Sequence, residues 1–413
     1  MPLDERVLTP RESMIVAAGA SPAFVTVTAD GPLDIDVLGH ALRLLAEANP
    51  ILRSEIVRTG DERYVLRVDD HTPSITVRDD GTTFADVVNT PWDAGERTAQ
   101  LLVLRESRGW AIVLAVHHAV ADGQLITTLL RRLVEYYTAL VSGARVAVVR
   151  RDELDPPLEE VLRRMGAVPA SAEPVQDTAP EEVTTLAPGS VPAAGRPSFG
   201  IRNLRLGPEA TARFISAAKA HRLSVSSLVV GAMTVALRGM HDSPDPLTLA
   251  LCLQVDLRSR MTPPVPPDAA MSAVGSVIIN LPTPYDAGPV EVGTQVDSRM
   301  PGAVRQALRQ AALLAAGKLR LSRAQEISIS ISNLGRLSFP SVAGDLRFGT
   351  IRSVATMPFM RVPALVVNTT NGSLNLDLIY NRAFLTDDVV HHLTQGFESR
   401  LAALARTGAS SSV

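Results

Sequence analysis

Two adjacent histidines, His117 and His118, stand where the chain could most readily place reactive chemistry. They open the segment His117-His118-Ala119-Val120-Ala121-Asp122-Gly123, which follows the apolar run 111–116 and precedes an amphipathic stretch. The pattern predicts a strand-to-helix junction, and α/β folds place reactive groups at such strand ends, where they face a crevice. Because a neutral imidazole can accept a proton near neutral pH, the segment is a candidate for general-base chemistry.

Two residues that follow the histidines are candidates for supporting roles. Asp122 lies four residues after His118 and is expected to hold the turn in shape, and Gly123 is expected to supply backbone freedom at the helix entry. Capping or core packing of two histidines at a strand end would give the same spacing. On residue types and spacing alone, the catalytic and the structural interpretation are about equally good.

The rest of the sequence carries no competing signature of chemistry. It has no HExxH motif, no GxGxxG after a predicted strand and no P-loop, so it indicates neither metal nor nucleotide chemistry. The single cysteine, Cys252, cannot form an internal disulfide and lies in an apolar run, where a buried and inert thiol is expected. We therefore expect no metal site and no permanently bound cofactor.

Length and composition narrow the class of protein. A chain of 413 residues suggests two or three domains, and an apolar fraction of 46% excludes disorder. A net charge of −3 argues against a nucleic-acid partner. No window reaches the roughly 18–20 apolar residues of a membrane span, and the first residues lack the pattern of a signal peptide. We expect a cytoplasmic monomer with no membrane span.

Hydrophobic periodicity predicts two α/β domains joined by a proline-rich crossing. Strand and helix patterns alternate over residues 1–154, which include the helix expected over 123–141. Residues 155–198 hold eight prolines and are predicted to form an extended linker. Residues 199–413 are predicted to open with helices at 208–221 and 226–240 and to continue mainly as strands, with a hairpin at Asn371-Gly372 and a terminal helix.

The histidine segment resembles the HHxxxDG signature of the coenzyme-A-dependent acyltransferase superfamily. That group includes chloramphenicol acetyltransferase and the condensation domains of nonribosomal peptide synthetases. Three further segments, LRSEI at 52–56, QVDLR at 254–258 and SNLGR at 332–336, are similar to stretches of that superfamily and occur in its order along the chain. By overall pattern, the chain most resembles the polyketide-associated acyltransferases within the superfamily.

The resemblance implies a fold and a set of site residues. The fold is α/β, with two chloramphenicol-acetyltransferase-like domains, each a mixed β-sheet with flanking helices, and an active-site channel between them. His118 corresponds to the general base, and His117 to a packing or positioning residue. Asp122 is implied to pair with an arginine, for which Arg258 is the candidate. Asn333 is implied to line the substrate channel, although an ordinary turn residue after a strand would look the same.

The resemblance also implies a reaction. An O-acyltransferase would move an acyl group from a thioester to a hydroxyl of a polyketide or lipid-type acceptor, with His118 as base and no covalent acyl-enzyme. The thioester is carried by coenzyme A or by the phosphopantetheinyl group of an acyl carrier protein, and either acts as a co-substrate. Two alternatives stay open: an amide-forming, condensation-like enzyme with an amine acceptor, and a non-catalytic scaffold that binds a carrier protein.

A carrier-bound donor would need a cationic surface to meet an acidic carrier protein. For any one cationic residue, a solvated helix face is the more common explanation. The candidate residues are Arg131, Arg132, Arg305, Arg309, Lys318, Arg320 and Arg323.

Overall fold

The computed structural model describes residues 4–19, 22–60, 63–69, 73–92, 97–166, 182–186, 198–318 and 326–407. Residue contacts divide the chain into two units. Unit 1 comprises Met1–Met165, Asp256–Ala273 and Arg336–Phe359. Unit 2 comprises Gly166–Val255, Val274–Gly335 and Met360–Val413.

The helices and strands alternate along much of the chain. In chain order the elements are β1 (Glu5–Val7), α1 (Pro10–Ala17), β2 (Pro22–Asp30), α2 (Ile35–Ala48), β3 (Ser54–Arg58), β4 (Tyr64–Val68), β5 (Ile75–Arg78), α3 (Phe84–Asn89), β6 (Ala99–Arg105), β7 (Trp110–His117), α4 (Gly123–Val141), α5 (Leu158–Arg164), β8 (Phe199–Leu206), α6 (Pro208–Ala220), α7 (Val225–Arg238), β9 (Leu247–Asp256), β10 (Val274–Thr283), α8 (Pro289–Ala315), β11 (Ile329–Leu337), β12 (Val342–Ala343), β13 (Leu346–Ala355), β14 (Ala364–Thr370), β15 (Ser373–Asn381) and α9 (Asp387–Thr407).

The division into units differs from the two consecutive domains that the sequence predicts at 1–154 and 199–413. Residues 256–273 and 336–359 belong to unit 1, because Arg258 pairs with a carboxylate there and β13 pairs with β2. The predicted linker is not extended throughout, because it contains α5 near its start, and the backbone N–H of Thr184 donates a hydrogen bond to the Thr248 carbonyl. Positions 167–181 and 187–197 of that linker lie outside the described residues.

The large sheet of unit 1 is covered by α2 and α4. The sheet has the order β12-β13-β2-β7-β6-β5, with antiparallel neighbours except for the parallel pair β5 and β6. On α4, Leu125, Leu129 and Leu133 are fully buried, as their four-residue spacing predicts. One turn later, the Tyr137 hydroxyl accepts a 3.1 Å hydrogen bond from the backbone N–H of Asp34, the residue that caps α2. The two helices are therefore joined by packing and by a hydrogen bond.

Unit 2 contains a second six-stranded sheet, in the order β10-β9-β11-β14-β15-β8. β9 and β11 are parallel, while β14, β15 and β8 run antiparallel to their neighbours in that series. Asn371 and Gly372 join β14 to β15 with φ angles of 48° and 75°, the left-handed values that a type I′ hairpin turn requires. The predicted hairpin is thereby confirmed, as are the helices predicted near 208–221 and 226–240.

Helices α7 and α8 approach each other closely at two glycines. A Cβ atom at Gly231 would lie 2.1 Å from the carbonyl oxygen of Pro289, and one at Gly293 would lie 2.9 Å from the carbonyl oxygen of Ser227. Both obstacles are backbone atoms, which cannot rotate away as a side chain can. The spacing of the two helices therefore depends on glycine at these positions.

Among the helices that the structure describes, none alone combines the length and the apolar character that crossing a membrane would need. α6 and α7 meet those criteria only when counted together, and they are bent by 96° with respect to each other.

Replacing the glycine at this helix crossing should destabilise unit 2. Gly231→Ala places a methyl group against the Pro289 carbonyl, so we expect a loss of roughly 1–3 kcal/mol or more in the free energy of unfolding. Gly302→Ala is the matched control, because a Cβ atom there meets only the Arg305 side chain, at 3.8 Å. That change should stabilise the helix by about 0.5–1 kcal/mol. Urea denaturation measures both effects, and an unchanged midpoint for Gly231→Ala would contradict the close crossing.

Candidate active site

The histidine segment forms a tight connection between β7 and α4. β7 ends at His117, whose carbonyl accepts a 3.1 Å hydrogen bond from the backbone N–H of Val120. α4 begins at Gly123, and Asp122 is its N-cap, with Oδ1 accepting a 2.9 Å bond from the Leu125 N–H. Such a bond satisfies one of the unpaired N–H groups at the start of a helix. The strand-to-helix junction predicted from the sequence is thus present.

The orientation of the His118 ring is set by the main chain. Its Nδ1 lies 2.9 Å from the carbonyl oxygen of Ala121, three residues later. Because a carbonyl oxygen can only accept a hydrogen bond, Nδ1 must carry the proton. In the neutral ring, Nε2 therefore keeps its lone pair and is the atom that can act as a base.

His118 differs from its neighbours in exposure. Among residues 117–122 it alone is partly exposed, while the others are buried. Burial of much of the ring lowers the pKa of His118 below its usual value, and the nearby Arg11 guanidinium lowers it further. The bond to Ala121 and the charge of Asp122 oppose this shift only in part. The imidazole is consequently neutral at pH 7, as a general base must be.

His117 occupies a different environment. It is 1% exposed, and its Nδ1 accepts a 3.2 Å hydrogen bond from the backbone N–H of Ala119. Burial, followed by the neighbouring His118, lowers the pKa of His117 to about 4. The ring is neutral and helps to hold the turn, in keeping with a positioning residue.

The carboxylate of Asp122 is fully buried and accepts three hydrogen bonds. Besides the Leu125 N–H at Oδ1, its Oδ2 accepts a bond of 2.8 Å from Arg258 Nη1 and one of 2.7 Å from the backbone N–H of Ala273. The structure thus brings together Asp122 and Arg258, the pair that the sequence resemblance suggested. A buried carboxylate needs this full set of partners, because desolvation strongly disfavours its charge.

Residues 256–273 are attached to unit 1 at several further points. Arg258 is 1% exposed and also donates to Asp256 Oδ1 at 2.9 Å and to the carbonyl oxygen of Met271. Asp268 forms an ion pair with Arg132 on α4, and the Ala270 N–H donates to Asp155 at 2.8 Å. These contacts, spread over the segment, explain why it folds with unit 1 although β9 and β10 belong to the sheet of unit 2.

Known acyl-group transferases are similar to this chain in sequence. Residues 195–380 match a family model described as the phthiocerol/phthiodiolone dimycocerosyl transferase C-terminus. A phthiocerol/phthiodiolone dimycocerosyl transferase of Mycobacterium sp. (strain JLS) is 27% identical over 263 residues, and that of Mycobacterium leprae (strain TN) is 24% identical over 296 residues. This chain is therefore similar in sequence to the phthiocerol/phthiodiolone dimycocerosyl transferases.

Solved structures with low sequence identity have the same fold. Polyketide synthase associated protein 5 from Mycobacterium tuberculosis superimposes with a TM-score of 0.76, at 19% identity and with 97% of each chain covered. The first condensation domain of the CDA synthetase gives a TM-score of 0.72 at 19% identity, covering 97% of this chain and 96% of the domain. The predicted fold class is confirmed. In sequence, the match to the strain JLS relative covers 61% of this chain and 62% of that relative's length.

Arg53, in the LRSEI segment at 52–56, holds two parts of the chain together. Arg53 is 3% exposed; its Nε donates to the Ala46 carbonyl at 2.9 Å, and its Nη2 contacts Asp152 Oδ1 at 3.0 Å. The side chain therefore holds the end of α2 against the segment that follows α4.

Asn333 lies on β11 in unit 2, next to a cavity and in a turn. It lines a cavity of about 180 Å³ within that unit. Its Oδ1 also accepts a 2.8 Å hydrogen bond from the N–H of Gly335, the local arrangement of an Asx turn. The turn fixes the side chain at the edge of the cavity.

Some site features differ from the sequence-based expectation. Gly123 is an ordinary first residue of α4 without a positive φ, so the backbone freedom expected there is not used. The contacts of the Ala121 carbonyl with His118 and of the Ala273 N–H with Asp122 cannot be predicted from the sequence, because every residue type has these backbone groups. Asp256, a second partner of Arg258, could have been found, since it is part of the same QVDLR segment.

Two of the proposed carrier-docking arginines are already paired. Arg131 forms an ion pair with Glu135 one turn along α4, and Arg132 pairs with Asp268. Arg305 and Arg309 are exposed on α8, while positions 320 and 323 lie outside the described residues. Among the residues that the structure describes, no cluster of three or more histidine, cysteine or acidic side chains could hold a metal ion.

Breaking the Asp122–Arg258 pair should lower the free energy of unfolding far more than breaking an exposed pair. Arg258→Met leaves a buried carboxylate without its counter-ion, so we expect a loss of roughly 3–5 kcal/mol in the free energy of unfolding. Arg131→Met is the matched control, because its pair with Glu135 is partly exposed and should contribute only about 0.3–0.5 kcal/mol. Chemical denaturation at neutral pH separates the two cases. Equal losses would show that the buried pair does not hold the loop.

The buried His117 should make stability fall in mild acid. Its pKa is about 4 in the folded protein and near 6.5 when unfolded, so between these pH values the unfolded state binds more protons. Stability linked to this group is therefore present above pH 6.5 and is lost as the pH falls toward 4, at up to about 1.4 kcal/mol per pH unit. His117→Asn, which keeps an acceptor for the Ala119 N–H, should flatten that slope in denaturation curves recorded from pH 7 to 4.5. An identical slope in the variant would assign the effect to other groups.

Proposed function

We propose that the protein is an O-acyltransferase that uses His118 as its general base. One observation carries the proposal. The His118 ring is neutral, donates from Nδ1 to Ala121 and is partly exposed, so Nε2 is the unprotonated nitrogen. A positioned base of this kind commonly contributes about 10²–10⁴-fold to a rate.

The reaction follows from that geometry. Nε2 of His118 takes the proton from an acceptor hydroxyl as the oxygen attacks the carbonyl carbon of an acyl thioester. The carbon–sulfur bond then breaks, and the departing thiolate takes the proton back from the imidazolium. The products are an ester and a free thiol, and the base returns to its neutral form. Nδ1 stays bonded to Ala121 throughout, so the ring need not turn between the two proton transfers.

No enzyme-bound acyl group is required. A thioester is already activated, and direct attack needs only deprotonation and orientation. Burial raises the pKa of the Cys252 thiol to about 11, so it is not a ready nucleophile. The neutral base and the inert thiol together favour direct transfer.

The substrates are inferred from the relatives. Those proteins are named dimycocerosyl transferases, which supports a lipid or polyketide alcohol as acceptor. The donor would be a thioester of coenzyme A or of a phosphopantetheinyl carrier protein. A channel between the two domains and a monomeric, cytoplasmic protein stay predictions from the sequence.

Mass spectrometry of products tests the proposal. The purified protein is given a panel of acyl-CoA thioesters with hydroxylated and amino acceptors, and we expect an ester that parent protein forms and His118→Ala forms at least 10²-fold more slowly. The matched control is the exposed pair on α9, where His391→Ala and His392→Ala should keep the parental rate. Thermal unfolding verifies that each variant is folded.

Each other outcome has a defined meaning. Products formed only with amines would replace the proposal with amide formation. A folded His118→Ala variant that transfers acyl groups at the parental rate would show that His118 is not the general base. A parent protein that forms no product with any acceptor would favour the non-catalytic scaffold.

A further inference from the structure

Unit 2 contains a cavity of about 180 Å³. It lies among the first two turns of α7, the strands β9 and β11, and the first half of α8. Every described residue that lines the cavity belongs to unit 2. A ligand in this cavity can therefore be recognised by unit 2 alone.

The cavity has an apolar floor and a more exposed polar mouth. The floor is formed by buried aliphatic residues, which are Val230, Leu253, Val296 and Ile331. The mouth is formed by polar residues that keep contact with solvent, which are Ser224, Ser226, Gln254, Asp297 and Asn333. Small-molecule sites commonly combine an apolar surface with a few polar groups that orient the ligand. The arrangement suits a compact ligand with one apolar and one polar end.

Asp297 is the one charged residue among the described residues that line the cavity. Its Oδ1 accepts a 2.7 Å hydrogen bond from the Ser227 hydroxyl, which in turn lies 2.7 Å from the hydroxyl of Ser224, the N-cap of α7. These bonds hold the carboxylate at the start of α7, where the helix dipole favours a negative charge. No basic side chain of the described residues forms an ion pair with Asp297. Because a carboxylate can accept about four hydrogen bonds, Asp297 keeps acceptor capacity for a ligand.

The two amide side chains at the mouth are used by neighbouring groups. Oε1 of Gln254 accepts a 2.9 Å hydrogen bond from the Ser276 hydroxyl, and its Nε2 lies 3.4 Å from Ser330 Oγ. Oδ1 of Asn333 accepts a 2.8 Å bond from a backbone N–H of its own turn. The Asp297 carboxylate is therefore the strongest acceptor that the mouth offers, and its charge favours a cation.

The volume of the cavity limits the apolar part of a ligand. An apolar cavity of about 150 Å³, engineered in another protein, accommodates benzene, a molecule of six carbons. The cavity of unit 2 is slightly larger than that reference volume. A single ring, or a branched alkyl group of about six carbons, would therefore fill it.

We infer that this cavity binds a primary ammonium compound with one compact apolar group of about six carbons. The apolar group would lie on the aliphatic floor, and the ammonium group would donate to the Asp297 carboxylate at the mouth. An ammonium group carries three donors and no acceptor, which complements a carboxylate with unused acceptor capacity. A compound of the same size that ends in a carboxylate would be repelled. Binding at this site is separate from the acyl transfer proposed at His118 and does not depend on it.

The test compares three probes that have the same ring and differ in charge: benzylamine, benzyl alcohol and benzoate. Isothermal titration calorimetry at neutral pH measures the binding of each probe to the full-length protein. We expect benzylamine to bind about 10–100-fold more tightly than benzyl alcohol, because a hydrogen bond to a charged group is stronger than one between neutral groups. Benzoate should bind most weakly of the three.

Asp297→Asn tests the role of the charge. The asparagine keeps an oxygen that can accept the Ser227 hydroxyl, so the start of α7 should be retained. The variant should bind benzylamine about 10–100-fold more weakly and should leave the affinity for benzyl alcohol within about threefold. Asp286→Asn is the matched control, because Asp286 is an exposed aspartate of unit 2 that does not line the cavity. That control should keep the parental affinities.

Val230→Phe tests the role of the floor. It fills the cavity and should weaken the binding of benzylamine and of benzyl alcohol together. If it does not fold, as judged by thermal unfolding, Val296→Ala takes its place. This change enlarges the floor and should favour 4-ethylbenzylamine over benzylamine. Val292→Ala is its control, a buried valine one turn earlier on α8 that does not line the cavity, and it should keep the parental preference.

Three results would overturn the inference. The first is a parent protein that binds benzylamine no more tightly than benzyl alcohol or benzoate. The second is an Asp297→Asn variant with the parental affinity for benzylamine. The third is unchanged binding in the folded floor variant. Because each measurement concerns binding alone, these results are distinct from a failure of the proposed acyl transfer, which product analysis detects.

Discussion

A buried negative charge is the constraint on which the candidate site depends. Asp122 has no contact with solvent, and a carboxylate in such surroundings is tolerated only when hydrogen bonds and a counter-ion compensate for its lost hydration. Its partners come from three places: the first turn of α4, the guanidinium of Arg258, and the backbone of Ala273. The hydrogen bonds and the ion pair of this one side chain therefore fix the start of the helix, the end of the histidine turn and the path of residues 256–273.

The same arrangement separates the tasks of the two titratable side chains. In a serine–histidine–aspartate triad, a buried carboxylate orients the imidazole and stabilises its charged form. Here the carboxylate is neutralised by arginine, and the imidazole of His118 is oriented by the Ala121 carbonyl instead. The Ala121 carbonyl fixes the tautomer, and burial outweighs its tendency to raise the pKa of His118, so the ring stays unprotonated. Such a base is suited to a thioester, which needs no covalent intermediate on the enzyme.

Local sequence patterns predict the elements around the site. The features that they do not predict depend on contacts between residues far apart in the sequence. The leucine spacing of α4 and its aspartate cap lie within a few residues of the histidines, so the junction could be predicted. By contrast, α8 was not predicted, although it spans 27 residues, because Pro301 and two glycines interrupt its pattern. Packing of Gly293 against α7 favours the helix despite them. The assignment of residues 256–273 to unit 1 likewise follows from a partner 136 positions away, which no local pattern records.

The pairing of β13 with β2 has a consequence for how the protein could be recombined with its relatives. A fragment that ends in the proline-rich stretch would lack β13, so the hydrogen-bonding groups along one side of β2 would be open to other chains. It would also lack the arginine that neutralises the buried aspartate. A chimera joined to a relative at that stretch would take different parts of unit 1 from two different proteins. The histidine turn and the segments that support it are encoded over an interval reaching from the first residues to about position 359, and they must be inherited together.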